Sequence, residues 1–416
     1  MIEDGLRGSN WKALTSIYNS AFFCSFGFFV VRFLIPIIAY GSMGATATEV
    51  ALVFSLLTLG VAIFSPVAGK FAKRGRRRSS IFVGTTVRAI AYIGMGISVI
   101  FNDKYILIIN SLLWGLGAAF YKVGSDAEIS ERVLHKNRAE AFGKREASNG
   151  KGSVIGAFLG FTILLSFPES GLILVFLFYA VMNLIGGSIV IVRRPPLEIV
   201  SDTIKAAGAK SIIGLGIAAL VIAAAIDTFI TSLLSPFVEL YIIDQFTSDL
   251  SLIALIYLPG GIISGVFGSH LGRFADHKNK VVIVSAAVAI GAISTLALVF
   301  MPLILPWPFN LASIAILFSI GSVTGIMAYT VMSSVFGAVY EGRASEGFGL
   351  FEAAMGFSRF TAPLVGGLLW DFLNPTTPFL LVGLSGFILI PIYVYGMRQY
   401  ERTRVTSIVD SIQGQD

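Results

Sequence analysis

Apolar stretches of about 18 to 25 residues follow one another along nearly the whole chain, each long enough to cross a ~30 Å hydrocarbon core. Lipid offers the backbone no hydrogen-bond partners, so each stretch must close its own bonds as a helix. The pattern predicts an all-α membrane protein with twelve spans, at roughly 12–40, 47–69, 80–101, 105–126, 145–166, 170–192, 212–241, 249–271, 281–303, 309–335, 347–369 and 378–397. The polar interruptions alternate in character. Those after even-numbered spans are basic: Lys70, Lys73, Arg74, Arg76, Arg77 and Arg78, then Arg132, Lys136 and Arg138, then Arg193 and Arg194, then Arg273, Lys278 and Lys280. The opposite loops are short and poor in Lys and Arg, Lys104 excepted. The positive-inside rule then puts both termini in the cytosol. Trp11, Trp307 and Trp370 fall at span ends, where an amphipathic ring suits the headgroups, whereas Trp114 lies well inside the fourth span.

The two halves of the chain repeat one another. Pro36 ends the first span as Pro236 ends the seventh, and Gly69-Lys-Phe-Ala-Lys73 closes the second as Gly272-Arg-Phe-Ala-Asp276 closes the eighth. Arg138-Ala-Glu-Ala-Phe-Gly143 precedes the fifth span as Arg343-Ala-Ser-Glu-Gly-Phe-Gly349 precedes the eleventh; Glu146 and Glu352 follow each, and Gly160 answers Gly366. This organisation reads as a six-helix half at 1–192, a cytosolic linker at 193–211, a second six-helix half at 212–398 and a cytosolic tail at 399–416, with a substrate site between the halves near midplane.

Composition narrows the class. The 416 residues are 55% hydrophobic and only 13% charged, far from the quarter or so charged in soluble domains. The net charge of +6 lies in alternate loops, which excludes a nucleic-acid patch. One cysteine (Cys24) and three histidines in or beside loops leave no disulfide framework and little for a metal site. The first ten residues lack the pattern of a cleavable signal peptide, so none is expected. No Gly-x-x-x-x-Gly-Lys-Ser/Thr loop is present, so transport energy has to come from a gradient. No paired acids or histidines stand at catalytic spacing, so no enzymatic activity and no cofactor are expected.

These motifs resemble the major facilitator superfamily of secondary transporters over essentially the whole chain. That family carries Gly-x-Leu-Ala-Asp-Arg-x-Gly-Arg-Arg after the second span, with a degenerate copy after the eighth. Gly69, Phe71 and Ala72 fit, and Arg76 to Arg78 supply the basic run, although Lys73 holds the acidic position and Gly75 comes one residue early. The second copy keeps Gly272, Asp276 and Lys280. The resemblance implies that Asp276 braces a cytosolic gate, and with it a multi-pass protein of the plasma or inner membrane, acting as a monomer on a small molecule with protons as the coupling ion. Drug antiporters of the family carry Arg-x-x-Gln-Gly-x-Gly in the fourth span; here Ser111-Leu-Leu-Trp114-Gly115-Leu-Gly117 keeps the glycines and lacks the arginine. Of their fifth-span Gly-x-x-x-Gly-Pro-x-x-Gly-Gly, Gly152, Gly156 and Gly160 match while Ala157 and Phe161 replace the proline and the last glycine, and Ala362-Pro363-x-x-Gly366-Gly367 resembles it in the eleventh.

In this family the first, fourth, seventh and tenth spans line the central cavity, which selects the polar residues to weigh. Asp227 lies in the middle of the seventh span, too short to reach the headgroups, so it faces a cavity, finds a partner or sits protonated. A midplane carboxyl suits proton coupling, and Thr228, Thr231 and Ser235 continue its polar surface. Tyr18, Ser25 and Arg32 share a face of the first span, and Arg32 either pairs with Asp227, holds an anionic substrate or snorkels outward. The fourth span offers Asn110, Trp114, Tyr121 and Ser125 on one stripe, and the tenth offers Ser322, Tyr329 and Ser333. Aromatic walls with few polar groups suit an apolar or amphipathic ligand. Arg88, Lys122, Asp126, Arg145, Glu146, Lys151, Glu352 and Arg359 lie nearer the cytosolic side, as an inter-half ion-pair network or as snorkelling residues. The leading expectation is proton-linked efflux of hydrophobic or amphipathic compounds. Uptake or exchange of an anionic metabolite held by Arg32 is the first alternative, and a non-transporting membrane sensor on the same fold the second.

Overall fold

The computed structural model describes residues 11–28, 34–73, 75–134, 137–167, 169–192, 215–247, 250–339 and 344–413. Every regular element among them is helical. In order these are α1 (Trp11–Cys24), α2 (Ile35–Ile37) running into a π-helical turn (Ile38–Ser42), α3 (Ala47–Phe71), α4 (Arg77–Phe101), α5 (Lys104–Arg132), α6 (Arg138–Ser166) and α7 (Gly171–Val192). After the linker come α8 (Leu215–Leu234), α9 (Val238–Gln245), α10 (Leu250–His277), α11 (Lys280–Ile304), α12 (Phe309–Val339), α13 (Ala344–Phe372) and α14 (Thr377–Gln413). Helices α3, α4, α5, α7, α11, α12 and α14 each contain a stretch long and apolar enough to cross a membrane. Their outward faces carry large exposed apolar side chains such as Ile97, Phe101, Ile109, Val192, Leu303 and Ile388, a surface suited to lipid and not to water.

Local chemistry sets the ends. Thr46 and Glu49 cap α3 reciprocally, each side chain bonding the other's backbone N–H, and Asp103 and Asn279 accept from the first amides of α5 and α11. Gly75, at φ +90°, turns the chain between α3 and α4 in a conformation other residues avoid. Of the two prolines expected to end the first and seventh spans, Pro236 lies in the turn where α8 gives way to α9, since it lacks the amide an unbroken helix needs. Pro36 lies in the first turn of α2, where the missing amide has no carbonyl to serve. The last helix also differs from expectation: α14 continues to Gln413, through the segment read as a tail.

Packing repeats along the chain. Helix α3 packs on α5, α4 on α5 and α7, and α1 on α6 and α7; equivalently, α10 packs on α12, α11 on α12 and α14, and α8 on α13 and α14. Between these groups, α3 lies along α13 and α6 along α10. One apolar core gathers Leu220, Ile230, Tyr241, Val331, Phe379 and Tyr393 from α8 to α14; two others lie among α1 to α7, around Tyr92, Tyr179 and Phe176 and around Leu14, Ile81 and Phe142. The α6–α10 seam is built from small residues: a Cβ on Gly268 would stand 3.0 Å from the Gly143 carbonyl oxygen, and one on Gly272 3.1 Å from Gly143 Cα. Small residues let the two backbones touch.

Candidate functional site

The polar residues of α5, α6 and α12 meet around Arg145. This guanidinium is buried, donates to Asp126 of α5 and to the Tyr329 hydroxyl of α12, and reaches Ser125 at 3.3 Å. Its other edge bonds Glu146 at 3.1–3.2 Å. Glu146 in turn accepts from Asn149, whose carbonyl accepts from Ser25 at 2.8 Å just beyond α1. Lys122 stands 5.7 Å above the Tyr329 ring. A cation taken out of water needs partners on every side, and Arg145 draws them from three helices.

Nearer the middle of the bundle, Arg88 extends from α4 towards α1 and α5. It passes α5 where a Cβ on Gly117 would lie 2.7 Å from Arg88 Cγ, so only glycine leaves room for the stem. The guanidinium sits 4.6 Å over the Trp114 ring and 5.5 Å from that of Tyr121, and donates to the Cys24 carbonyl at 3.0 Å. The hydroxyls of Tyr18 and Tyr121 and Arg88 Nε are buried without a hydrogen-bond partner among the described residues.

Asp227 finds a partner in Tyr393 of α14, whose hydroxyl donates to it at 3.1 Å. Thr228 bonds the Met355 sulfur of α13 at 3.3 Å, and exposed Thr231 bonds back to the Asp227 carbonyl. Asp227 thus sits where α8, α13 and α14 pack, with no cation against it among the described residues. Arg32 lies outside the described residues, as do the side chains of Asp276, Ser333 and Glu352.

At the end of the bundle that bears the basic loops, Arg273 of α10 meets Glu140 of α6 at 3.0 Å, and Lys144 meets the same carboxylate at 3.0 Å. Partial burial works to raise the Glu140 carboxyl, but Arg273 and Lys144 outweigh it and hold the group below the ordinary range. Of the gate residues, Gly69 is buried near the end of α3, Gly272 lies against α6, Lys280 opens α11, and Arg76 is exposed at the start of α4. Its neighbours Arg77 and Arg78 are buried and carry the ion pairs. Arg77 meets Glu131, and Arg78 meets Glu128 at 2.8 Å, Ser16 at 3.0 Å and the Ala13 carbonyl at 2.9 Å.

The sequence reading singled out Arg145, Glu146, Asp126, Ser125, Tyr329 and Ser25 in separate groups, and the structure brings them into one cluster. That reading placed Asn110 on the stripe of the fourth span; its amide bonds the Ile106 carbonyl and the side chain fills the space over Gly94 of α4. It missed Tyr393 and the Arg77–Arg78 network. The signal for the latter was the acidic pair Glu128 and Glu131, three apart at the end of an apolar span.

The sequence profile of the Major Facilitator Superfamily matches residues 17–345. The multidrug resistance protein 1 of Bacillus subtilis (strain 168) is 26% identical over 147 residues, a match spanning 35% of this chain and 37% of that protein. Among solved structures, the human organic anion transporter MFSD10 superposes with a TM-score of 0.70 at 16% identity, over 92% of this chain and 99% of that one. The proton:xylose symporter XylE gives 0.69 at 13% identity over 91% and 93%, and the outward-facing transporter FucP 0.67 at 13% over 92% and 97%.

Proposed function

The chain belongs to the major facilitator superfamily, a transporter fold rather than an enzyme, and from that premise we propose that it exports hydrophobic or amphipathic compounds in exchange for protons. It carries a small molecule across the membrane; the finer reading concerns how. Twelve spans form two six-helix halves, residues 1–192 and 212–398, joined by the linker 193–211, with both termini in the cytosol of a cell bounded by the membrane it occupies. The halves rock about a central site in alternating access. The recurrence of the same helix pairings on either side of the linker supports this division. The partial likeness to a protein named for multidrug resistance, and the partly exposed rings of Trp114 and Tyr121, support an amphipathic cargo.

The observation that carries the proton linkage is Asp227: a carboxyl within an apolar bundle whose hydrogen-bond partner is a neutral tyrosine. Its charge depends on how much water reaches the α8–α14 contact, and that differs between the two states of a rocking bundle. The test uses Asp227→Asn in proteoliposomes. Export driven by a pH gradient is lost while substrate exchange at equal pH persists. Unchanged gradient-driven flux in the variant excludes Asp227 as the coupling group.

A further inference from the structure

Arg77, Arg78, Arg132 and Arg145 are all buried, and each meets a carboxylate. Arg88 is buried to the same degree, midway along α4, and meets none among the described residues. Its charge is balanced by two aromatic faces and one backbone carbonyl, and its Nε–H is left over. Cation–π contact returns well short of what a desolvated ion costs. The groups around it deepen the mismatch. The Tyr121 hydroxyl and the Trp114 indole N–H are also buried without a partner of hydrogen-bond geometry among the described residues, beside the equally buried Tyr92 hydroxyl, whose oxygen lies near both Arg88 and Trp114. The Tyr121 hydroxyl and the indole can donate, as can Arg88 Nε, and the indole and guanidinium cannot accept. The acceptors of the cluster are thus neutral oxygens with no carboxylate among the described residues, and Trp114 and Tyr121 are partly exposed, so it is covered by side chains a ligand can touch. Gly117 keeps the channel open through which the arginine reaches this place.

We infer that Arg88, Trp114 and Tyr121 form an anion subsite, and that the cargo is an amphipathic organic anion whose carboxylate or sulfonate is held by Arg88 while its apolar body lies against the aromatic rings. A planar guanidinium binds such a group through two parallel hydrogen bonds, and the unpartnered Tyr121 hydroxyl adds a third. The inference deepens the transport reading and rests on it for the word cargo; the subsite itself is tested by binding alone.

The experiment measures binding of three matched probes, 4-phenylbutyrate, 4-phenylbutanamide and 4-phenylbutylamine, to purified full-length protein in lipid nanodiscs. Tryptophan fluorescence and thermal stabilisation are the readouts. Wild type binds the carboxylate about tenfold or more tightly than the amide, and the amine least. Arg88→Met removes the preference between carboxylate and amide without weakening the amide, and Arg88→Lys keeps part of it. Equal affinity for carboxylate and amide in wild type, no binding of the carboxylate at all, or an unchanged preference in Arg88→Met each overturns the subsite. Should Arg88→Met fail to fold, Tyr121→Phe decides: a several-fold loss confined to the carboxylate supports the subsite, and no change overturns it. Carboxylate binding through Arg88 combined with proton-independent flux would retain this site and discard the coupling by Asp227; the reverse pairing would do the opposite.

Discussion

Arg145 illustrates what a charged residue has to secure before it can occupy the interior of a membrane bundle. Its guanidinium is held by Asp126, Glu146 and Tyr329, from α5, α6 and α12, so the arginine ties α12 to two helices early in the chain. Removing one member of a buried pair leaves an unbalanced charge, which costs about 3–5 kcal/mol, whereas removing both is far cheaper. Arg145→Met is therefore expected to lower stability by that amount, and Arg145→Met with Asp126→Asn to recover most of it. Unfolding in denaturing detergent across the four members of the cycle measures the coupling; additive losses would mean the two groups do not depend on each other. The conservative Tyr329→Phe removes one hydroxyl acceptor and leaves the ring under Lys122. It is expected to change stability little and to speed the separation of α12 from α6.

Whole helices were legible in the sequence because lipid permits few alternatives: an apolar stretch of spanning length has to be helical. Breaks within helices were less so. A proline removes one amide wherever it stands, and Pro66, Pro259, Pro302, Pro363 and Pro391 lie inside continuous helices, while Pro36 opens α2 and the chain is interrupted around Pro236. Whether neighbours satisfy the freed carbonyl is a tertiary matter that spacing does not record. Side-chain direction was hidden for a similar reason. Asn110 shares a stripe with Trp114, yet the gap above Gly94 of α4 draws it away. Arg76 matched the motif, yet the acids Glu128 and Glu131 pair with Arg77, Arg78 and Arg132. The glycines of the helix seams carried more information than any motif, because they mark places where another backbone arrives. Gly268 is one such residue on the seam between α6 and α10, where a Cβ would stand 2.9 Å from the Ala147 nitrogen. Gly268→Val is expected to force the two helices apart at the basic end, whereas Gly291→Val, where a Cβ meets nothing within 4 Å, is the matched control. With buried Cys24 changed to alanine and Thr231, exposed on α8, changed to cysteine, maleimide applied from the basic face should react several-fold faster in the Gly268 variant alone.

For the molecule as a whole, the contacts that join the early helices to the late ones at the basic end are of two kinds. The glycine seam of α6 and α10 is apolar and continuous, and can slide or part with little change in its chemistry. The ion pair of Arg273 with Glu140 is all-or-none, since it exists only while that end is shut. A contact present in one state alone biases the equilibrium by its own free energy, and Arg273 is exposed enough that solvent screens much of that. Glu140→Gln is expected to shift the population towards a state open at the basic end, raising the alkylation rate at Thr231→Cys from that face, with a smaller effect at high salt. The pH dependence has a definite sign. Because Arg273 and Lys144 hold the Glu140 carboxyl below the ordinary range of about 4.3, the ion pair is fully formed above that range and is lost as the pH falls through the lowered value. Acidification from neutral to about pH 5 should thus leave basic-face alkylation unchanged through this contact, and only stronger acid should make wild type resemble Glu140→Gln. An alkylation rate that rises between pH 7 and 5 in wild type and equally in Glu140→Gln would place the pH-sensitive step elsewhere, with Asp227 the group to examine; a rise abolished by the substitution would mean that Arg273 does not hold Glu140 ionised when the halves are closed.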